Sequence, residues 1–500
     1  MALITQKLRA IMAIDPDRVE IDFEGKDYSW GQIAALVDTV AVALDAMALP
    51  KDARIGVMLR NRPGHVAAMM GVLASDRCLV TLNPALPDAR LIADIVALDL
   101  PVVIADTGDL ARDGMAQTLV DQGIGVIAIG AALDHASLEN PPAPERTLTT
   151  APGIAIEMLT SGTTGTPKRV PLSRSAFDAS FAAFTRYERG REFADQPQLR
   201  SGVSMVVNPL THIGGIYGCI GALMAGRKIA LLERFTVESW VAAIKRNQAR
   251  VAPAVPSAIK MILEADVARE DLSSLSALIS GTAPLAPETV DAFYARYGIP
   301  VLANYGATEF AGAVAGWTID DFRAHWQAKR GSAGRVHADM EARIVDPATG
   351  AVLQHGEQGI LELKGAQLNN AMQWLRTTDR AVLDEDNFLF VHGRADNAIV
   401  RGGFKVHPDD VVTALHQHPA IREAAVVGVA DDRLGQVPAA AIILKDGASP
   451  PAPDALKAFL KDRLLAYQVP VHVRYVDDFP RTPSMKPSTP GLKALFGEAA

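Results

Sequence analysis

Cysteine is nearly absent: Cys78 and Cys219 are the two in 500 residues. Two thiols exclude a disulfide framework and a four-thiolate zinc site, and a reducing cytoplasm is the expected setting. A basic excess is also missing, since the formal net charge is −8. That argues against a dedicated nucleic-acid binder, which must neutralise phosphates. Long apolar runs are lacking too: the most apolar stretches, 65–74 and 213–225, fall short of the ~20 residues of a spanning helix. The first 22 residues show no apolar segment followed by a small-residue cleavage site, so neither a signal peptide nor a membrane anchor is expected. No internal repeat or low-complexity segment occurs. Hydrophobic residues at 49% and charged residues at 21% exclude disorder.

What is present is alternation. Short β-branched runs at 54–59, 79–82, 101–105, 154–159, 203–207, 229–232, 251–253, 275–280 and 300–304 are separated by helical or loop-like stretches such as 64–74 and 88–98. This predicts an α/β fold, a large N-terminal domain of helix-covered, mostly parallel sheets. Two polar stretches, 141–152 and 188–200, read as loops. After about residue 395 the pattern changes. Strands at 424–429, 438–444 and 471–476 and a helix at 453–465 predict a small α+β C-terminal domain with its own core. The expected division is 1–395 and 396–500.

The segment Leu159-Thr-Ser-Gly-Thr-Thr-Gly-Thr-Pro-Lys168 follows a strand and is rich in hydroxyls and glycine. Glycines let backbone N–H groups approach an anion, and hydroxyls and an ammonium add donors. It is not a Walker loop, because Pro167 precedes the lysine and Arg169 follows it. A mobile polar turn is the bland alternative. The string resembles the phosphate-binding signature of the adenylate-forming enzymes, in particular the acyl- and aryl-CoA ligases. Further signatures recur in the family's order: Asn304-Tyr-Gly-Ala-Thr-Glu309, Thr377-Thr-Asp379, His392-Gly-Arg-Ala-Asp-Asn397, Arg401-Gly-Gly-Phe-Lys-Val-His-Pro408 and Pro480-Arg-Thr-Pro-Ser-Met-Lys486.

The resemblance implies ATP, Mg²⁺ and coenzyme A as cofactors and co-substrates. ATP would contact Thr160, Ser161, Gly162, Thr163, Thr164, Gly165, Thr166 and Lys168, with Thr164 and Lys168 assisting catalysis at the phosphates. Gly281, Thr282, Ala283, Asn304, Tyr305, Gly306, Ala307 and Thr308 would line the adenylate, Glu309 would bind the metal, and Asp379 and Arg394 would hold ribose and phosphate. The residue types suit these roles, because a carboxylate accepts from ribose hydroxyls, a guanidinium approaches phosphate, and a lone Glu suits hydrated Mg²⁺. Thr378 stands where most relatives have glycine.

By the same resemblance Asp396 is a hinge and Lys486 the adenylation lysine, although Met485 replaces the usual glycine and Pro487 follows. Lys493 is a fallback with the wrong spacing. Gly402, Gly403 and Lys405 would line the thiol channel, where a plain β-turn explains the glycines equally well. His212, Ile213, Gly214 and Val314 would face the acid, against a core histidine as the alternative for His212. Acetate-specific relatives carry tryptophan at the position of Gly306, so a hydrophobic fatty or aryl acid larger than acetate is expected. Loading of a carrier protein, or a non-catalytic AMP- or CoA-binding relative, stays open, as does a monomer or a homodimer.

Overall fold

The computed structural model describes residues 3–130, 133, 136–146, 148–160, 168–186, 196–369, 373–482 and 485–497. The chain divides into two compact units, one of 1–161, 167–340 and 365–373, the other of 162–166, 341–364 and 374–500.

The first unit is the expected helix-covered, mostly parallel layer structure. Strands Arg54–Met58, Cys78–Leu82, Val102–Asp106, Gly125–Ile129 and Ile154–Thr160 run parallel, flanked by antiparallel edges Ala136–Asn140 and Lys168–Ser173. The central strands are almost continuously buried, as strands covered on both faces must be. Helices Trp30–Ala46 and Pro63–Ala74 pack on one face. Their contact is close because Gly71 carries no Cβ, which would lie 2.8 Å from Val40. A second sheet joins Val203–Val206, Lys228–Leu231 and Val19–Phe23 in parallel with Lys26–Ser29 antiparallel at its edge. A third sets Val251–Pro253, Ala277–Ser280 and Val301–Ala307 parallel, then Gly312–Gly316 and Arg335–Val336 antiparallel.

The second unit holds a four-stranded sheet, Met340–Val345, Gln358–Gly365, Leu375–Leu383 and Leu389–Arg394. It also holds an α+β layer built on the long hairpin Ile421–Asp431/Gly435–Leu444. Alternate residues of that hairpin enter two cores. Ala424, Val426, Ala440 and Ile442 pack with helices Pro408–His416 and Pro453–Lys461, while Ala425, Val427, Ala439 and Ala441 pack with Phe479 and Leu492. The strand expected at 471–476 is His472–Tyr475, parallel to Gly435–Leu444. The helix expected to reach 465 ends at Lys461, and Leu465 stands 60% exposed. Among the described residues no helix is long and apolar enough to cross a membrane.

Candidate active site

Of the sequence-predicted residues of the first unit, 281–283 and 304–308 lie at the C-terminal ends of the third sheet's parallel strands, where open α/β sheets place ligands. Buried Val301 and Leu302 anchor their strand, and Ser280 pairs with Ala303, so 281–283 and 304–308 emerge side by side. A Cβ on Gly281 would collide with Asn304 Oδ1, and Thr282 takes the left-handed conformation at φ 71°. Ser280 Oγ is buried and finds no partner among the described residues. A Cβ on Gly306 would meet the Gly312 carbonyl, so no side chain fits there without moving backbone.

Glu309 is exposed on the short 3-10 turn Thr308–Phe310. That turn is fixed from below: Phe310 is buried, and the buried Gln367 donates from Nε2 to the carbonyls of Phe310 (2.9 Å) and Ala313 (3.1 Å). Ser180 Oγ donates to the Ala311 carbonyl at 2.8 Å. Gln367 and Ser180 lie far from the motif in sequence, and nothing in the local pattern marks them. Among the described residues no three His, Cys, Asp or Glu side chains cluster as a metal cage. One exposed carboxylate suits Mg²⁺, which keeps waters and takes substrate phosphate oxygens.

His212 is the half-buried N-cap residue of helix Ile213–Met224, and Ile213 and Gly214 open its first turn. The preceding loop is set by buried Asn61, which donates to the carbonyls of Val207, Asn208 and Leu232 and accepts from the Leu210 N–H. One turn along the same helix, Tyr217 stacks on Phe181 at 4.7 Å and donates to the Ser180 carbonyl. Val314 is fully buried in its strand. Lys168 is exposed at the start of strand Lys168–Ser173, opposite Thr160. Ser161, Gly162, Thr163, Thr164, Gly165 and Thr166 lie outside the described residues, as does the side chain of Thr160.

In the second unit Asp379 and Arg394 are direct partners across the antiparallel pair Leu375–Leu383/Leu389–Arg394, which puts both on one face. Thr378 accepts the Ala395 N–H through its carbonyl at 2.7 Å and lies in strand Leu375–Leu383 just before a register shift between Asp379 and Ala381, with Asp379 still paired to Arg394. The Arg394 guanidinium makes two contacts of 2.8 Å to the Asp396 carboxylate. Lys486 closes a tight turn: its carbonyl accepts the Thr482 N–H (2.8 Å) and its N–H donates to Thr482 Oγ1 (3.2 Å). Its side chain remains open to solvent, yet surrounding atoms strip part of its hydration and Arg394 adds a like charge, so its pKa is lowered. Gly402 (φ 55°) and Gly403 (φ 88°) form a two-residue hairpin turn between Ile399–Arg401 and Phe404–Val406, which demands left-handed backbone at both positions. Lys405 is exposed beside it.

The model of the AMP-binding enzyme family matches residues 8–371, and that of its C-terminal domain matches 411–486. The chain belongs to the AMP-binding enzyme family. Similar members include 4-coumarate–CoA ligase 5 of Oryza sativa subsp. japonica, 28% identical over 492 residues, covering 94% of this chain and 90% of that protein. 4-Coumarate–CoA ligase 1 of Petroselinum crispum is 28% identical over 498 residues, covering 94% and 89%. Among solved structures, the amide bond synthetase McbA from Marinactinospora thermotolerans superposes with a TM-score of 0.80 at 27% identity, covering 99% of this chain and 100% of that one. ATP-bound MatB from Rhodopseudomonas palustris has the same fold, with a TM-score of 0.82 at 23% identity and 99% coverage of both.

Proposed function

We propose that this AMP-binding enzyme is an ATP-dependent carboxylic acid–CoA ligase acting on a hydrophobic acid, aryl or fatty, larger than acetate. The supporting observation is the Asp379–Arg394 cross-strand pair, in a chain that matches the family model over both its parts. In the first half-reaction a carboxylate oxygen attacks the α-phosphorus of ATP, forming acyl-AMP and expelling pyrophosphate. In the second, the CoA thiolate attacks the acyl carbon and AMP leaves.

The transition state of the first step concentrates negative charge, so fixed cations facing it lower the barrier. Arg394 and Lys486 supply two positive charges from the second unit, and Asp379 accepts ribose hydroxyls. From the first unit Glu309 would hold Mg²⁺, which when bound neutralises phosphate charge. The Gly402–Gly403 turn would let the narrow pantetheine arm approach backbone, and Asp396 would be the hinge, separating 1–395 from 396–500. His212, Ile213 and Gly214 would face the acid, and 160–168 the phosphates. A cytoplasmic location fits the two buried thiols.

Pyrophosphate release from MgATP, measured over a panel of aryl and aliphatic acids with and without CoA, tests this reading. Release with some acids, and a thioester once CoA is added, is expected. Acyl-adenylate that accumulates without transfer to CoA would redirect the acceptor to a carrier protein or an amine. Silence with every acid, while AMP still binds, would overturn the catalytic reading.

A further inference from the structure

A cluster of charged and titratable groups outside the predicted site surrounds residues 393–410. Arg380, next to Asp379 but pointing elsewhere, donates to Asp410 Oδ1 at 2.7 Å and to the His392 carbonyl at 2.6 Å. Asp410 lies in the first turn of helix Pro408–His416. The neighbouring Asp409 carboxylate accepts the backbone N–H of Arg394, and the His407 ring hydrogen-bonds the Arg394 backbone. Gly393, at φ 87°, makes this approach possible: a Cβ there would strike the Asp409 side chain. The amino end of one helix is thus bolted to the end of strand Leu389–Arg394 by four side chains and a glycine.

All of these contacts except that of Arg380 with the His392 carbonyl cross residue 396. Arg380, Gly393 and Arg394 precede it, and His407, Asp409 and Asp410 follow it. Rotation about Asp396 must therefore break the crossing contacts, because one side of the joint moves while the other stays. In the closed joint Lys486 stands near enough to Arg394 for the guanidinium to depress its pKa. That is the arrangement in which both cations can face the same phosphate.

We propose that Arg380 and Asp410 are positioning residues for the adenylation step, which hold the amino end of helix Pro408–His416 against the end of strand Leu389–Arg394 and so keep Lys486 near Arg394. The inference rests on the acid–CoA ligase reading. Neither residue touches substrate; they act by holding Lys486 beside Arg394. Arg380 has an ordinary structural alternative, a stabilising ion pair, and the test separates the two.

Full-length Asp410→Ala and Arg380→Ala are compared with the charge-reversed double variant Arg380→Asp/Asp410→Arg. For an acid active in the panel, pyrophosphate release is expected to fall about tenfold in each single variant, the loss of one charge-assisted contact. Thioester formation from preformed acyl-adenylate and CoA is expected to stay within about twofold. The double variant recovers pyrophosphate release. A merely structural pair would depress both half-reactions together, and that result overturns the proposal. An acid-independent readout uses nitroxide labels on Glu385→Cys and Lys445→Cys, both exposed, while Cys78 and Cys219 are buried. A second distance population appears in Asp410→Ala if the pair holds the helix in place, and an unchanged single population overturns the proposal. Should no acid release pyrophosphate, the ligase reading falls, and the distance measurement still decides whether the joint opens.

Discussion

Arg394 and Asp396, two residues apart, face each other as a bidentate ion pair with both contacts at 2.8 Å. The guanidinium proposed to hold nucleotide phosphate is therefore engaged by the hinge candidate. Their side chains are 40% and 30% exposed, where an ion pair contributes about 0–1 kcal/mol. Nucleotide must displace Asp396 or share Arg394 with it. Asp396→Asn should therefore lower the KM for ATP by up to about fivefold with little change in melting temperature. Arg394→Gln should raise that KM well beyond that range. Steady-state kinetics decide the matter, and a raised KM in Asp396→Asn would mean that Asp396 orients Arg394 instead.

Lys486 must carry its proton to act on an anionic transition state. Desolvation and Arg394 both favour the neutral amine, so the folded-state pKa lies below the ordinary 10.5. The charge is lost at lower pH than for an ordinary lysine, and pyrophosphate release falls with it. Carbon-13 reductive methylation, with the signal assigned by its absence in Lys486→Arg, reports this pKa directly. It should rise in Arg394→Gln. A value at or above 10.5 in the parent would remove the argument for Lys486 as a desolvated, like-charged neighbour of Arg394.

Glu309 is exposed on a turn that other residues hold in place, so its removal separates catalysis from folding. Glu309→Gln should leave the melting temperature unchanged and lower kcat/KM for MgATP by about 10²-fold or more, the scale for losing an electrostatic partner in the transition state. Gln367→Leu should act more mildly and by another route, loosening the turn through two carbonyls left without a donor. Parental activity in Glu309→Gln would move the metal site elsewhere.

The parallel strands were legible because both of their faces are buried, giving β-branched runs such as those of Val102–Asp106 and Gly125–Ile129. The four-stranded sheet between 340 and 394 was not, because charge interrupts its apolar pattern. Glu362, buried within Gln358–Gly365, is tolerated only because Arg343 reaches it at 2.7 Å from the neighbouring strand. The site residues were readable wherever chemistry sits in one short string. What mounts them was not: Gln367 under Glu309 and Asn61 behind the His212 loop act across more than fifty residues. Such partners meet only in the folded chain.

Met485 occupies the position where the family has glycine and adopts φ 62°, a left-handed conformation that strains a side chain by about 1–2 kcal/mol. Glycine would relieve that strain but lose more freedom on folding, about 0.5–1 kcal/mol. Met485→Gly should therefore stabilise the protein by about 0.5–1 kcal/mol, read as a higher urea midpoint, while the turn around Lys486 and pyrophosphate release persist. A lower midpoint would show that Met485 contributes packing that outweighs its backbone strain.

Glu20 is fully buried on strand Val19–Phe23, and neither carboxylate oxygen has a hydrogen-bond partner among the described residues. Burial disfavours the anion, so its pKa is raised well above 4.5, and the same desolvation pushes the nearby Cys219 thiol up. The native state then binds a proton more tightly than the unfolded chain does. This contribution to stability is fully present below pH 4.5 and is lost progressively as pH rises from there through the raised folded-state value. Glu20→Gln cannot ionise and should escape that loss. Urea unfolding across the pH range should show the variant gaining on the parent above pH 4.5, and no gain below it. If the two stability curves run parallel, Glu20 does not titrate with unfolding, and its carboxyl must be ionised and compensated in the native core.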